Sequence, residues 1–252
     1  MMKIDLNADL GESFGIYQIG QDDELLKIVS SANVACGFHA GDYTTIKRTV
    51  KLAKEHGVSV GAHPGFLDLQ GFGRRRIDLN PDEVYDLVLY QLGAFYGFAK
   101  VEGVEVQHVK PHGALYNMAN LNYEIANAIA QAVYDFNSDI KLFGLCNSFL
   151  IKAGKKLGLT VIREAFADRT YTSDGLLMPR GDKNAVKYRN EEIKEQVLNI
   201  ALNQCVQSAD GKWVSLEADT ICLHGDSHTA LDHAVMIRQV LKGKGIEITS
   251  FQ

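Results

Sequence analysis

Short apolar runs rich in β-branched residues alternate with helical stretches along nearly the whole chain of 252 residues. Strands that are separated by helices are typical of βα units around a parallel sheet. The predicted strands are 3–9, 33–36, 58–61, 107–110, 141–145, 160–163 and 220–223, with a weaker strand at 246–249. The pattern predicts an α/β fold, and the chain length fits one barrel, because such barrels take about 250 residues.

The clearest helix begins at Asn80-Pro81-Asp82-Glu83. These residues combine an N-cap, a proline at the first helical position and an acid at the third, and apolar residues then follow at helical spacing. Further helices are predicted over 44–56, 122–136, 190–206 and 229–241. The Asp210-Gly211 turn beside the single tryptophan predicts a small peripheral hairpin over 209–214. Since no linker or repeat divides the chain, we expect one domain over 1–252.

Charge and apolar patterning narrow the classes of partner. The net charge of -5 gives no sign of the positive surface that nucleic acid requires. Neither a signal peptide nor a run of about 18 apolar residues occurs, so we expect a cytoplasmic protein without a membrane segment. The four cysteines are scattered without a CxxC pair, which argues against a disulfide framework or a zinc ribbon. Small polar substrates are the expected partners.

A short polar segment, usually containing glycine, follows six of the predicted strands. The segments are NADLGES, CGFHAGD, GAHPG, KPHGALYN, REAFADR and HGD. Parallel α/β folds bring the carboxyl ends of their strands to one face, where active sites lie. Because polar segments recur at the carboxyl ends of the predicted strands, the sequence predicts a polar site at that end of the sheet.

The first strand places three polar residues on one face, since Asp5, Asn7 and Asp9 alternate with apolar residues. Such a face either meets water or lines a barrel interior, where unpaired burial would cost roughly 2–7 kcal/mol for even one neutral group. We expect it to line the interior, with Asp5 deeper and structural. Asp9 and Glu12, nearest the end of the strand, are the acids expected to act in the site.

Four of the eight histidines fall in the polar segments: His39, His63, His112 and His224. Together with Asp9, Glu12, Asp42 and Asp226 they are residue types that hold divalent metals. Carboxylates that only orient neutral histidines produce the same pattern, and no HExxH motif occurs. The sequence therefore leaves a metal open.

Basic side chains also fall near the expected mouth. Lys110 ends a strand and precedes Pro111-His112, where it would hold an anion or stabilise an oxyanion. Arg169 and Arg180 are similar candidates, with Glu164 and Asp168 as bases or arginine partners. The run 74–76 fits either a solvated loop or a contact to substrate phosphate.

Two motif matches are set aside. GESFG resembles the GxSxG nucleophile elbow, which would make Ser13 a nucleophile, but IYQIG follows it where the elbow requires a helix. GFGRRR lacks the third glycine of a dinucleotide loop, and no GxxxxGK[ST] phosphate loop occurs.

Taken together, six motifs closely resemble the LamB/YcsF family: DLNADLGES, ANVACGFHAGD, VGAHPGF with GFGRR, HVKPHGALYN, EAFADRTY with MPRG, and ICLHGD. The resemblance runs from Asp5 to about Asp226 in the same order, and HGDSHTA departs from the family by lacking a proline after HGD. It implies a seven-stranded variant of the β/α barrel, similar to glycoside hydrolase and deacetylase folds. It also implies ATP-dependent opening of the 5-oxoproline (pyroglutamate) lactam to L-glutamate, together with two other 5-oxoprolinase subunits, B and C, with which ATP is used.

In that chemistry Asp9, Glu12 or Asp168 activates water, Lys110 and Arg169 stabilise negative charge, and His112 or His224 protonates the leaving nitrogen. The expected catalytic residues are Asp9, Glu12, Lys110, His112 and Asp168. The expected substrate-binding residues are Asn7, His39, His63, Glu164, Arg169, Arg180, His224 and Asp226. The alternatives are a stand-alone metal-dependent amide or carbohydrate deacetylase and a non-catalytic subunit that binds 5-oxoproline.

Overall fold

The structure is a computed structural model that describes residues 2–223 and 229–251. Its strands in chain order are β1 (Lys3–Leu10), β2 (Ser31–Ala35), β3 (Ser59–His63), β4 (Val106–Val109), β5 (Lys141–Leu145), β6 (Val161–Phe166), β7 (Cys205–Gln207), β8 (Trp213–Ser215), β9 (Thr220–Leu223) and β10 (Glu247–Ile248). Each predicted strand is present, with ends that differ by a few residues. The weakest prediction, at 246–249, corresponds to β10.

The main sheet closes on itself. Its order is β10-β1-β2-β3-β4-β5-β6-β9, and β9 also pairs with β1. Because β10 pairs only with the start of β1, the other seven of these eight strands form a closed parallel barrel within the described part of the chain. The α/β class and the seven-stranded barrel expected from the sequence are confirmed.

The helices lie between the strands. They are α1 (Asp22–Leu25), α2 (Tyr43–Glu55), α3 (Pro81–Val101), α4 (Gly113–Leu121), α5 (Tyr123–Phe136), α6 (Phe149–Leu157), α7 (Asn190–Leu198) and α8 (Ala230–Gly243). Sequence patterns did not predict α1, α4 or α6. None of the helices in the described ranges is both long and apolar enough to span a bilayer.

The predicted helix over 190–206 is wrong at its C-terminal end. After α7 the chain forms a π-helical turn over Asn199–Asn203, and Gln204 then takes a left-handed conformation with φ of 50°. That conformation ends the helical path and leads into β7, which pairs antiparallel with β8. The hairpin expected around Asp210-Gly211 is confirmed, although its strands extend beyond 209–214.

Local signals explain where α3 begins. The side chain of Asn80 accepts a hydrogen bond from the Glu83 amide, and the Glu83 carboxylate accepts one from the Asn80 amide, each at 2.9 Å. This reciprocal capping satisfies amides that have no partner inside the helix. The capping predicted from the sequence is therefore confirmed.

Alternation along β1 orients the polar face toward the barrel axis. Leu6, Ala8 and Leu10 belong to the apolar core, whereas Asp5 and Asn7 are completely buried. Parallel strands are covered on both sides, so a polar inner face must find its partners inside the barrel. The hydrogen bonds of this inner face define the candidate site.

Candidate active site

Asp5 lies at the deep end of the polar face. The hydroxyl groups of Ser30, Ser31 and Thr220 donate hydrogen bonds to its carboxylate at 2.6, 2.7 and 2.5 Å. Burial raises the pKa of Asp5, although these hydroxyl contacts oppose the shift. Protein contacts therefore enclose the Asp5 carboxylate at the deep end of the barrel.

Asn7 lies one layer nearer the mouth and connects three strands. Its Nδ2 donates to Glu164 Oε1 at 3.0 Å and to Thr220 Oγ1 at 2.7 Å. Its Oδ1 accepts from Asn33 Nδ2 at 2.7 Å and from Lys110 Nζ at 3.2 Å. An amide offers two donors and two acceptor positions, so all four are used inside the barrel. Asn7 therefore orients the side chains around it.

Lys110 follows β4 and projects inward among several acceptors. Its Nζ lies 3.0 Å from Asp9 Oδ1, 2.8 Å from Glu164 Oε1 and 3.0 Å from Cys222 Sγ. Burial alone would lower the pKa of Lys110, but the attraction of the Asp9 and Glu164 carboxylates outweighs it and holds the pKa well above its usual value. The ammonium is therefore a permanent, positioned positive charge.

Glu164, on β6, is completely buried and fully paired. Its Oε2 accepts a hydrogen bond from the Tyr116 hydroxyl at 2.7 Å, while Oε1 faces Asn7 and Lys110. Burial raises the pKa of Tyr116 well above its usual value, with the Glu164 charge adding to the shift. Tyr116 therefore remains a hydrogen-bond donor to this carboxylate.

Two histidines at the mouth have their tautomers defined by backbone carbonyls. His63 Nδ1 donates to Lys110 O at 2.6 Å, and His112 Nε2 donates to Phe72 O at 2.9 Å. Their other ring nitrogens, His63 Nε2 and His112 Nδ1, face each other at 3.0 Å. Burial, with the nearby His39 and His63, lowers the pKa of His112 well below its usual value.

His39 and Glu12 complete this cluster. The His39 ring stacks on that of His112 with centroids 3.8 Å apart, and burial lowers its pKa well below the usual value. Its Nε2 lies 3.8 Å from Glu12 Oε1, which is also 3.9 Å from His112 Nδ1. Gly73 permits the stack, since a Cβ there would lie 2.7 Å from His39 Cβ and 2.9 Å from His112 Cδ2.

A polar cavity of about 450 Å³ opens above this interior. The described residues that line it include one acid and five cations: Asp9, Arg74, Arg76, Lys110, Arg169 and Arg180. Such an excess of positive charge in a concave site attracts anions. All three arginines of the run 74–76 are exposed. Arg74 and Arg76 also line this cavity, whereas Arg75 pairs with Asp68.

The predicted site residues are distributed over three places. Asp9, His63, Lys110, His112, Arg169 and Arg180 line the cavity, and Asn7 and Glu164 support Lys110 beneath it. Glu12 and His39 line a neighbouring apolar cavity of about 320 Å³. Asp168 is buried and is not among the described residues that line the polar cavity. His224 and Asp226 lie outside the described residues.

Other assignments from the sequence differ from the geometry. Asp42 caps α2 by accepting from the Thr45 amide at 2.8 Å, so it does not join the histidine cluster. Ser13 exchanges hydrogen bonds with the backbone of Ile19, and no helix follows it before α1. The chain after Ser13 therefore lacks the helix that a nucleophile elbow requires.

Sequence reasoning missed several residues that contact Lys110 or its carboxylate partners. Asn33 donates to Asp9 Oδ1 at 2.9 Å, and Cys222 and Tyr116 complete the inner contacts. Asn33 had a usable signal, because it is a polar residue within an otherwise apolar predicted strand. Cys222 had none, since an isolated cysteine normally behaves as a small apolar residue.

Comparisons with known proteins agree with this architecture. The LamB/YcsF family model matches residues 4–252. The chain is 53% identical to the 5-oxoprolinase A subunit of Bacillus subtilis strain 168, covering 99% of this chain and 97% of that relative. It is 52% identical to the 5-oxoprolinase A subunit of Staphylococcus aureus strain Newman, covering 99% and 100%. The solved lactam utilization protein from Thermus thermophilus superposes with a TM-score of 0.93 at 46% identity, covering 99% and 100%.

Proposed function

Since the chain belongs to the LamB/YcsF family, we propose that it is the A subunit of an ATP-dependent 5-oxoprolinase, which hydrolyses the lactam of 5-oxo-L-proline to L-glutamate. Two relatives that carry this subunit name match the chain over nearly their full length. The main structural support is the cavity beside Lys110. Its lining contains the buried acid Asp9 and several arginines, among them Arg169 and Arg180. This combination fits a small anionic lactam and the negative charge that develops during its hydrolysis.

The proposed reaction overcomes the low reactivity of a lactam carbonyl. ATP transfers its terminal phosphoryl group to the lactam oxygen, and water then adds to the lactam carbon. The bond from this carbon to the ring nitrogen breaks as the nitrogen takes a proton. A second water hydrolyses the resulting acyl phosphate, so the products are L-glutamate, ADP and phosphate. Because the sequence has no phosphate loop, we assign ATP use to the complex with the B and C subunits.

Asp9 is the proposed base that activates water. Of the three candidate acids, Asp9 lines the polar cavity, Glu12 lines the neighbouring one, and Asp168 is not among the described residues of the first. Its Oδ1 accepts hydrogen bonds from Asn33 and Lys110, which hold the carboxylate in place. Positioned bases of this kind contribute about 10²–10⁴ to rate.

Positive charge at the rim is proposed to hold the substrate carboxylate and the transferred phosphoryl group. Arg169 donates to the carbonyls of Met178 and Ala185, which fixes its guanidinium beside the cavity. Arg180 also lines this cavity. Guanidinium groups suit both anions because their donors match the two oxygens of a carboxylate or phosphate.

His112 and His224 are the proposed candidates for the proton donor to the ring nitrogen. The Nε2 hydrogen of His112 is engaged with Phe72 O, and burial lowers its pKa well below the usual value, which disfavours His112 as the donor. His224, the other candidate, lies outside the described residues. The cytoplasmic location and the single-domain organisation expected from the sequence remain part of the proposal.

The test is glutamate release from 5-oxoproline and ATP, first by this chain alone and then with the B and C subunits added. We expect glutamate release only in the complete mixture, with one ADP formed for each glutamate. Glutamate release by the chain alone without ATP would contradict it, as would full release from B and C without this chain. Omitting ATP from the complete mixture is the control, and it should abolish release.

A further inference from the structure

We propose that Glu12, His39, His63 and His112 form a binding site for one divalent transition-metal ion, with Zn²⁺ the best match. One ligand atom from each residue lies within 4.8 Å of the others, and all four residues are buried. Three imidazoles and one carboxylate are a ligand set that zinc takes in tetrahedral sites. The sequence pattern left a metal open, and the fold brings these four candidate ligands together.

His63 and His112 each have one ring nitrogen turned toward the cluster. Both rings donate their other N–H to a backbone carbonyl, so Nε2 of His63 and Nδ1 of His112 are the nitrogens that face each other, at 3.0 Å. Metal-bound histidines characteristically donate their remaining N–H to a carbonyl or carboxylate in this way.

His39 independently favours a shared ion. The ring is completely buried, and among the described residues neither Nδ1 nor Nε2 has a hydrogen-bond partner. Leaving a buried polar group without a partner costs about 1–3 kcal/mol. Its Nε2 lies 3.8 Å from Glu12 Oε1, which is too long for a hydrogen bond but leaves space for an ion. A shared metal would satisfy this nitrogen.

The spacing of the ligand atoms also suits a metal. Zinc bonds of about 2.0–2.1 Å in a tetrahedron place neighbouring ligand atoms roughly 3.4 Å apart. The separations here are 3.0 Å for His63 and His112, 3.8 Å for His39 and Glu12, and 3.9 Å for His112 and Glu12. Formation of the site would also require the His39 ring, which stacks in parallel on that of His112, to turn so that both nitrogens point at one ion.

The cluster lies between two cavities. His63 and His112 line the polar cavity, whereas Glu12 and His39 line the apolar one. A metal at this wall would therefore border the space proposed for the lactam. When bound, such an ion supplies Lewis-acid polarisation of an oxygen atom.

The test is titration of the purified chain with Co²⁺ and Zn²⁺ after treatment with EDTA and dialysis. Visible absorption follows Co²⁺, whose tetrahedral complexes are strongly coloured, and a competing chelator measures Zn²⁺ affinity. We expect about one ion per chain and displacement of Co²⁺ by Zn²⁺. The measurement needs neither substrate nor the B and C subunits, so its outcome is independent of the proposed lactam hydrolysis.

Variants identify the ligands. His39→Gln and Glu12→Gln should each weaken Zn²⁺ binding by at least about tenfold, whereas His56→Gln, at an exposed histidine of the same chain, should bind like wild type. Circular dichroism establishes that each variant is folded. If His39→Gln does not fold, the Zn²⁺ affinity of Glu12→Gln and the wild-type titration still test the proposed site. Absence of Co²⁺ and Zn²⁺ binding in wild type, or equal binding by the two histidine variants, would overturn the proposal.

Discussion

The Nζ atom of Lys110 lies 2.8 Å from Oε1 of Glu164, and both side chains are almost completely removed from solvent. Lys110 follows β4 and Glu164 belongs to β6, so the two meet only because the sheet closes. The same ammonium contacts Asp9 at 3.0 Å, so one buried cation compensates two carboxylates. Removing it would leave buried negative charge without its main partner.

Lys110→Met should therefore destabilise the fold strongly. Breaking a buried ion pair by removing one partner costs about 3–5 kcal/mol, because the remaining charge stays desolvated. Urea unfolding measures the free energy of unfolding of each variant. Lys3→Met is the matched control: Lys3 lies 3.7 Å from Glu247 at the surface, where such pairs contribute about 0–1 kcal/mol. Equal losses for the two variants would refute the structural importance of the buried pair.

Asp9→Asn should abolish most glutamate production while preserving the fold. The amide retains the shape of the side chain but cannot take a proton from water, so we expect kcat to fall by about 10²–10⁴. The assay is glutamate release by the reconstituted complex. Asp23→Asn serves as the control, since Asp23 is exposed on α1. Wild-type kcat in folded Asp9→Asn would remove Asp9 from the reaction.

Arg180→Ala should weaken substrate binding. Arg180 lines the cavity, and a hydrogen bond to a charged group is worth about 1.5–3 kcal/mol, or roughly 10- to 100-fold in KM. The measurement is KM for 5-oxoproline in the complex. Arg189, which is exposed and lies 3.4 Å from Glu192, provides the matched Arg189→Ala control with an unchanged KM. Similar KM values for both variants would exclude Arg180 from substrate binding.

His108 should make stability depend on pH. Burial, together with the charge of Lys110, lowers its pKa to about 3 from a usual value of 6.5. Between these values the unfolded chain binds a proton that the folded chain does not, so stability falls as pH decreases through this window. At about 1.4 kcal/mol per pH unit, the ring should cost roughly 2 kcal/mol between about pH 6.5 and about pH 5.

The His108→Gln variant isolates this contribution. Glutamine retains a donor for Asn33 Oδ1, which His108 Nε2 contacts at 2.8 Å, but it does not titrate. Urea unfolding at the two pH values should show a smaller loss of stability for His108→Gln than for wild type. The exposed His56→Gln should keep the wild-type dependence. An unchanged dependence in His108→Gln would show that other groups produce the acid sensitivity.

Local patterns predicted most of the fold but less of the site. Runs of β-branched residues located every strand of the barrel, and the capping sequence at Asn80 located α3, because both signals depend on near neighbours. The helix expected over 190–206 ended early because the chain leaves helical geometry at Gln204 to form a hairpin. Helical spacing alone contained no sign of that change.

The sequence by itself determined the order of the βα units, the inward polar face of Asp5, Asn7 and Asp9, and the set of polar segments that reach the barrel mouth. These properties follow from alternation along a strand and from the direction of parallel strands. Only the tertiary structure decided which of those side chains meet. Lys110 faces Cys222, and His63 faces His112, because closure and strand register bring together residues far apart in the chain, and no local pattern encodes those distances.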